Sequence, residues 1–108
     1  MAFKVKYSEQ SSLDLADILE YISDELCSPK AAEKFFIGVV KKIELLRENP
    51  YLFPLYHDEM LSAEGYRFAV IGNYLMFYVI DDGNSMVSIF RILYGRRNIQ
   101  AIIETGNQ

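Results

Sequence analysis

The chain has 108 residues, 51% of them hydrophobic and 14% aromatic, with a formal net charge of −4 and a pI near 4.9. That length fits a single domain over 1–108, and that apolar content supports a core without disulfides or metal, which excludes a disordered chain. The acidic balance excludes a broadly basic nucleic-acid-binding surface, so any anion site has to be local.

A single cysteine, Cys27, rules out an internal disulfide and suits a reducing cytoplasm. With one histidine, His57, there is no cluster of metal-ligand spacing, and no cofactor motif such as a phosphate loop is present. Residues 1–10 lack the apolar stretch of a signal peptide, and no apolar run reaches the roughly 18–20 residues needed to span a bilayer. The expectation is a cytoplasmic protein with no membrane partner.

Phe3 to Tyr7 alternates apolar and basic residues and reads as a strand, with Ser8 placed to cap a helix directly after it. From Glu9 to Leu26 the residues Leu15, Ile18, Leu19, Ile22 and Leu26 form one helical stripe. The other face carries Glu9, Asp14, Asp17, Glu20, Asp24 and Glu25 and reads as a solvated acidic face. Ser28-Pro29 starts a second helix that runs to Glu48, with Ala32, Phe35, Phe36, Val39, Val40, Ile43 and Leu46 as its buried stripe. Asn49-Pro50 ends it. Two amphipathic helices joined by a short link make an antiparallel hairpin.

Tyr51 to Glu64 has no clear period and reads as a loop with one helical turn. Tyr66–Ile71, Tyr74–Asp81 and Met86–Tyr94 are β-branched and aromatic, separated by the turn signals Gly72-Asn73 and Asp82-Gly83-Asn84. The middle segment is apolar almost throughout and should be a central strand covered on both faces. Asn98 to Glu104 reads as a short terminal helix capped by Asn98. The order β-α-α-β-β-β predicts an α+β fold, with an N-terminal strand and a helical hairpin packed on a twisted, mainly antiparallel sheet.

The chemistry-bearing residues lie late in the chain. Arg67 and Arg91 each interrupt an apolar strand, and such a charge must reach water, pair with a carboxylate or bind an anion. Arg96 and Arg97 follow the last strand, where their planar forks suit a phosphate or an acidic protein partner. Tyr94 just before them could stack on a base, supply a hydroxyl proton or pack in the sheet. Cys27, at a helix end, reads as a packing residue rather than a nucleophile paired with His57.

Phe-Lys-Val-Lys-Tyr-Ser at the start, Leu-Asp-Leu-Ala-Asp-Ile-Leu-Glu-Tyr-Ile in the first helix and Ser-Pro-Lys-Ala-Ala at the second stand in a familiar order. Tyr66-Arg67, Gly-Asn-Tyr-Leu-Met-Phe-Tyr-Val-Ile and the ending Arg-Ile-Leu-Tyr-Gly-Arg-Arg-Asn complete it. Together they resemble the RelE/ParE superfamily of toxins from type II toxin–antitoxin systems over nearly the full chain. The resemblance implies a cognate antitoxin as partner, no small-molecule cofactor, and one of two targets, DNA gyrase or ribosome-bound messenger RNA. For an mRNA endoribonuclease it implies catalytic roles for Arg67, Arg91, Tyr94 and Arg97. For binding alone it implies Arg67, Arg91, Arg96 and Arg97. Leu75, Leu93 and Ile103 stand where nuclease members carry an arginine, a histidine and a tyrosine. The Ser-Pro-Lys-Ala-Ala and Tyr-Gly-Arg-Arg segments look closer to ParE-like members. The balance leans slightly to a protein target, with the nuclease and a non-toxic interaction module as alternatives.

Overall fold

The computed structural model describes residues 2–105. The elements are β1 (Lys4–Tyr7), α1 (Glu9–Glu20), α2 (Pro29–Glu48), α3 (Glu59–Ala63), β2 (Arg67–Ile71), β3 (Tyr74–Asp81), β4 (Met86–Tyr94) and α4 (Ile99–Thr105). The strands form one sheet in the order β1-β4-β3-β2. The β2–β3 and β3–β4 pairs are antiparallel, whereas β1 runs parallel to β4, with Lys4 opposite Met86 and Tyr7 opposite Ile89. The fold is α+β, as the order of apolar periods predicts.

The capping residues act as their sequence positions predict. The Ser8 hydroxyl oxygen accepts the Ser11 N–H at 2.9 Å, and Ser28 accepts the Ala31 N–H at 3.2 Å ahead of Pro29. Asn98 Oδ1 accepts the Ala101 N–H at 3.3 Å at the start of α4. The first helix is shorter than its stripe suggests. Regular α-helix stops at Glu20 and gives way to a π-turn over Tyr21–Glu25, and Cys27 then takes a left-handed φ of 52°. Its last stretch carries Asp24 and Glu25 and no basic residue, a charge pattern that opposes the negative end of the helix dipole. Cys27 is exposed, so the packing role expected for it is not what the structure shows.

One further expectation is corrected. The second-helix residues Phe36 and Val40 are 45% and 41% exposed, whereas Ala32, Phe35, Val39, Ile43 and Leu46 are buried. Both faces of the sheet are covered, as the apolar run of the middle strand predicts. One core lies between α1, α2 and the sheet and includes Ile18, Phe35, Leu46, Met76, Tyr78 and Ile89. A second lies on the opposite face, where Tyr56, Leu61, Ile99, Ile102 and Ile103 pack on Phe77 and Leu93. Met76, Phe77 and Tyr78 are therefore all fully buried, and β3 is a central strand covered on both sides. Among the described residues no helix is long and apolar enough to cross a membrane.

Packing of α2 on the sheet is close. A Cβ on Gly38 would sit 3.3 Å from Ile71 Cγ2, so glycine there lets helix and strand approach. Leu46 is fully buried against the same face. Leu46→Ala should cost about 2–5 kcal/mol of unfolding free energy, since transfer and cavity costs add. Urea unfolding followed by circular dichroism measures it.

Tyr78 anchors the end of α2 to the sheet, its hydroxyl donating to the Pro50 carbonyl at 2.8 Å. Burial pushes this hydroxyl from 10.0 up to about 12, partly offset by the charge of Arg67. The protonated form is thus favoured in the folded state. The resulting stability is complete below pH 10 and is lost as pH rises from 10 to about 12. A Tyr78→Phe variant should start lower, by about 1–3 kcal/mol for the unpaired Pro50 carbonyl. Its stability should then fall less steeply across that alkaline window, as unfolding midpoints measured at stepped pH would show.

Candidate functional site

β1 pairs with only the first part of β4, because it ends at Tyr7 opposite Ile89. From Phe90 onward the edge of β4 is closed by α1 instead. The Ser8 hydroxyl donates to the Phe90 carbonyl at 2.7 Å, and the Asp14 carboxylate accepts the Ile92 N–H at 3.0 Å. The same carboxylate grips Arg91 in a fork, Nε to Oδ2 at 2.8 Å and Nη2 to Oδ1 at 3.0 Å. Both side chains are buried, 5% and 9% exposed. The Asp14 carboxylate thus stands where a neighbouring strand would otherwise continue, and it is not part of the solvated acidic face.

A bulge directs Arg91 to that edge. Phe77 lies opposite Arg91 while Tyr78 lies opposite Ile89, so Phe90 is an extra residue in β4. Unbroken alternation from Ile89 would place Arg91 under the helices. With the bulge, Ile92 packs in that core and Leu93 in the opposite one. Of the three fates open to a strand arginine, Arg91 takes the carboxylate pair, and the anion-binding and catalytic roles given to it do not fit its burial.

Arg67 also has internal partners. Its Nη1 donates to the Phe53 carbonyl at 2.7 Å, and its guanidinium lies 4.8 Å from the centre of the Tyr51 ring. The Tyr51 hydroxyl in turn bonds the Asp82 carboxylate. Arg67 thereby straps the segment after α2 to the first residue of β2. It is half-buried rather than closed off, and it keeps part of its surface toward solvent.

Tyr94, Arg96 and Arg97 sit together at the other end of the sheet, beside the Gly72-Asn73 turn, where the Gly95 N–H donates to the Asn73 carbonyl at 2.9 Å. Tyr94 and Tyr74 meet edge to face at 5.6 Å, and Tyr74 meets Phe35 at 5.3 Å. Burial first, then the neighbouring Tyr21 and Tyr94 hydroxyls, raise the Tyr74 hydroxyl above its usual range. A cleft of about 220 Å³ runs past Asp17, Tyr21, Tyr74, Tyr94 and Arg97. Arg67 lies at the start of β2, four residues of strand and about 14 Å from its hairpin end. The structure therefore brings together Tyr94, Arg96 and Arg97 of the sequence-derived set, and keeps Arg67 and Arg91 apart from them. His57 packs on Tyr56 at 4.2 Å in the loop before α3, and among the described residues no cluster could hold a metal ion.

An almost purely apolar feature lies elsewhere. A groove of about 420 Å³ runs between α1 and α2, lined almost wholly by carbon, with Leu15, Leu19, Phe36 and Val40 along it. The exposed Phe36 and Val40 belong here. Their signal was present in the second-helix stripe, which is too wide for one buried face: Phe36 and Val40 flank the line through Phe35, Val39, Ile43 and Leu46.

Residues 5–99 match the family described as the ParE toxin of type II toxin–antitoxin systems, parDE. The chain belongs to this ParE toxin family. Solved structures share the fold of this ParE-family chain. A chromosomal ParDE toxin–antitoxin system from P. aeruginosa matches with a TM-score of 0.67 at 16% identity, over 86% of this chain and 96% of that one. The archaeal RelE–RelB complex from Pyrococcus horikoshii OT3 matches with a TM-score of 0.58 at 17% identity, over 90% and 99% of the two chains. The RelBE2 toxin–antitoxin complex of Mycobacterium tuberculosis gives 0.51 at 19% identity, over 87% and 99%. No significant match exists among curated protein sequences.

Because Asp14 closes both Arg91 and the strand edge, removing either partner strands a buried charge. Arg91→Ala should cost about 3–5 kcal/mol, and an Asp14→Leu, Arg91→Met pair should recover most of it. Urea denaturation of the single and double variants tests this. A cost no larger than that of an exposed ion pair would contradict the role assigned to Asp14.

Proposed function

We propose that this ParE-family toxin inhibits growth by binding a protein target, DNA gyrase, rather than by cutting RNA, and that a cognate antitoxin neutralises it by covering the groove between α1 and α2. The observation that carries the target reading is the dispersal of the basic residues. Cleavage at a ribose 2′-OH needs a base, an acid and a cation around one phosphate. Here Arg91 is tied to Asp14, and Arg67 is turned toward Phe53 and Tyr51 about 14 Å of strand from Tyr94, Arg96 and Arg97. The residues near Tyr94 offer cations and an aromatic ring, which suit recognition of an acidic or polar surface. Leu75 and Leu93 pack into the core on the opposite face from the hairpin and supply no polar group in its place.

The groove supports the antitoxin half of the proposal. A contiguous apolar surface that includes the 45% exposed Phe36 and 41% exposed Val40 is a liability for a monomer and fits the apolar face of a partner helix. The similar structures from Pyrococcus and Mycobacterium are themselves toxin–antitoxin complexes.

Induced expression in growing bacteria separates the targets when transcript 5′ ends and plasmid supercoiling are read from the same cells. The expected outcome is growth arrest with lost supercoiling or trapped DNA breaks and intact messenger RNA. New 5′ ends phased within codons, with supercoiling unchanged, would establish the nuclease instead. Normal growth with soluble protein present would make the chain a non-toxic interaction module.

A further inference from the structure

A second groove, of about 920 Å³, lies between α2 and the free edge of the sheet at β2 and its hairpin. Its α2 wall presents Lys34, Gly38 and Lys42, each four residues from the next and so on one stripe. No aspartate or glutamate lines it, in a chain whose net charge is −4. Lys34 has no ion pair among the described residues, and Lys42 meets only the Phe53 ring, at 5.1 Å.

The edge beside those lysines is half closed. Residues 54–56 cover its start: the Phe68 N–H donates outward to the Pro54 carbonyl at 3.1 Å, and the Tyr56 N–H donates to the Tyr66 carbonyl at 2.9 Å. Val70, two residues after Phe68, turns its backbone groups the same way. They have no partner among the described residues, and the Val70 side chain is 50% exposed. Natural edges are usually blunted by a charge, a proline or a covering loop, and here the covering stops one pair short.

We propose that this edge takes an extended acidic peptide segment of a partner protein, which pairs with Val70 as an added strand and sets its carboxylates against Lys34 and Lys42. The two lysines lie about 12 Å apart along the helix axis. Residues four apart in a strand span about 13 Å and share a face, so carboxylates at that spacing meet both lysines. Gly38, between the two lysines, packs against Ile71 and so holds this stretch of α2 close to β2, the strand whose free edge the peptide would join. Backbone pairing supplies the affinity and the lysines the sign of the charge. This rests on edge geometry and charge, and stands apart from the choice of cellular target.

The test is fluorescence anisotropy with a labelled ten-residue peptide that carries glutamates four apart with valines between, against the full-length chain. Binding is expected, with at least a tenfold loss when the glutamates are replaced by lysine and a similar loss in a Lys34→Glu, Lys42→Glu double variant. That variant should in turn bind the lysine peptide. Val70→Pro removes the outward N–H, and should weaken binding tenfold while the urea midpoint stays near the parent value, as edge prolines leave the inner ladder intact. Should that variant fail to fold, hydrogen exchange on the parent serves instead: peptide must slow exchange at the Val70 amide. Equal binding of glutamate and lysine peptides, no protection at Val70, or no binding at all overturns the proposal. So does tighter binding of a single-stranded dT decamer, which would make the groove a nucleic-acid site. Self-association of the free chain that the Lys34→Glu, Lys42→Glu pair abolishes would assign the groove to a second copy, and overturns it equally.

Discussion

A four-residue strand cannot pair with a nine-residue one along its whole length, and the molecule is organised around that shortfall. Beyond Ile89 the edge of β4 lies where the chain has already turned into α1, and its polar backbone groups need partners. The Ser8 hydroxyl and the Asp14 carboxylate provide them, and Asp14 also neutralises Arg91. One carboxylate therefore fixes the position of α1 on the sheet, fills the place of a missing strand and keeps an arginine inside. A hydrophobic pair of similar volume could match its stability but could not bond the Ile92 N–H, which suggests specificity of register as the reason for an ionic solution.

That constraint also shapes what the surface can do. With Arg91 turned inward by the Phe90 bulge and Arg67 strapped to the Phe53 carbonyl, the late arginines exposed at the surface are Arg96 and Arg97, just past β4. Two further exposed features are the apolar groove between the helices and the open edge at Val70, which Lys34 and Lys42 flank. Both have the form of surfaces that take up polypeptide, one an apolar helix groove and the other an open strand edge.

Much of the fold was legible in the residues because local signals agreed with one another. Ser8, Ser28-Pro29, Asn98, Gly72-Asn73 and the apolar run of β3 each marked an element that is present. The site was less legible. Asp14 falls among Glu9, Asp17 and Glu20 on the polar side of the helical wheel, and nothing local distinguishes a carboxylate that will meet an arginine 77 residues away. The bulge is equally silent, since Phe90 and Arg91 read as ordinary alternation. Phe36 and Val40 misled for the opposite reason: they are apolar and on nearly the right face, and only the spacing of α1 against α2 leaves them uncovered. Long-range pairing decided each of these, and periodicity carries no information about it.

The parallel pairing of β1 with β4 has a consequence for how the protein comes into being. The first strand of the sheet gains its only neighbour from the last, so no native sheet core can close while Met86–Tyr94 is still unmade or inside the ribosome. Contacts of such high sequence separation fold late and slowly, and a nascent chain grows by about 5–20 residues per second. A product interrupted before Met86 lacks the strand that both cores share. Until Met86–Tyr94 has been made and released, the cell holds nothing with this shape.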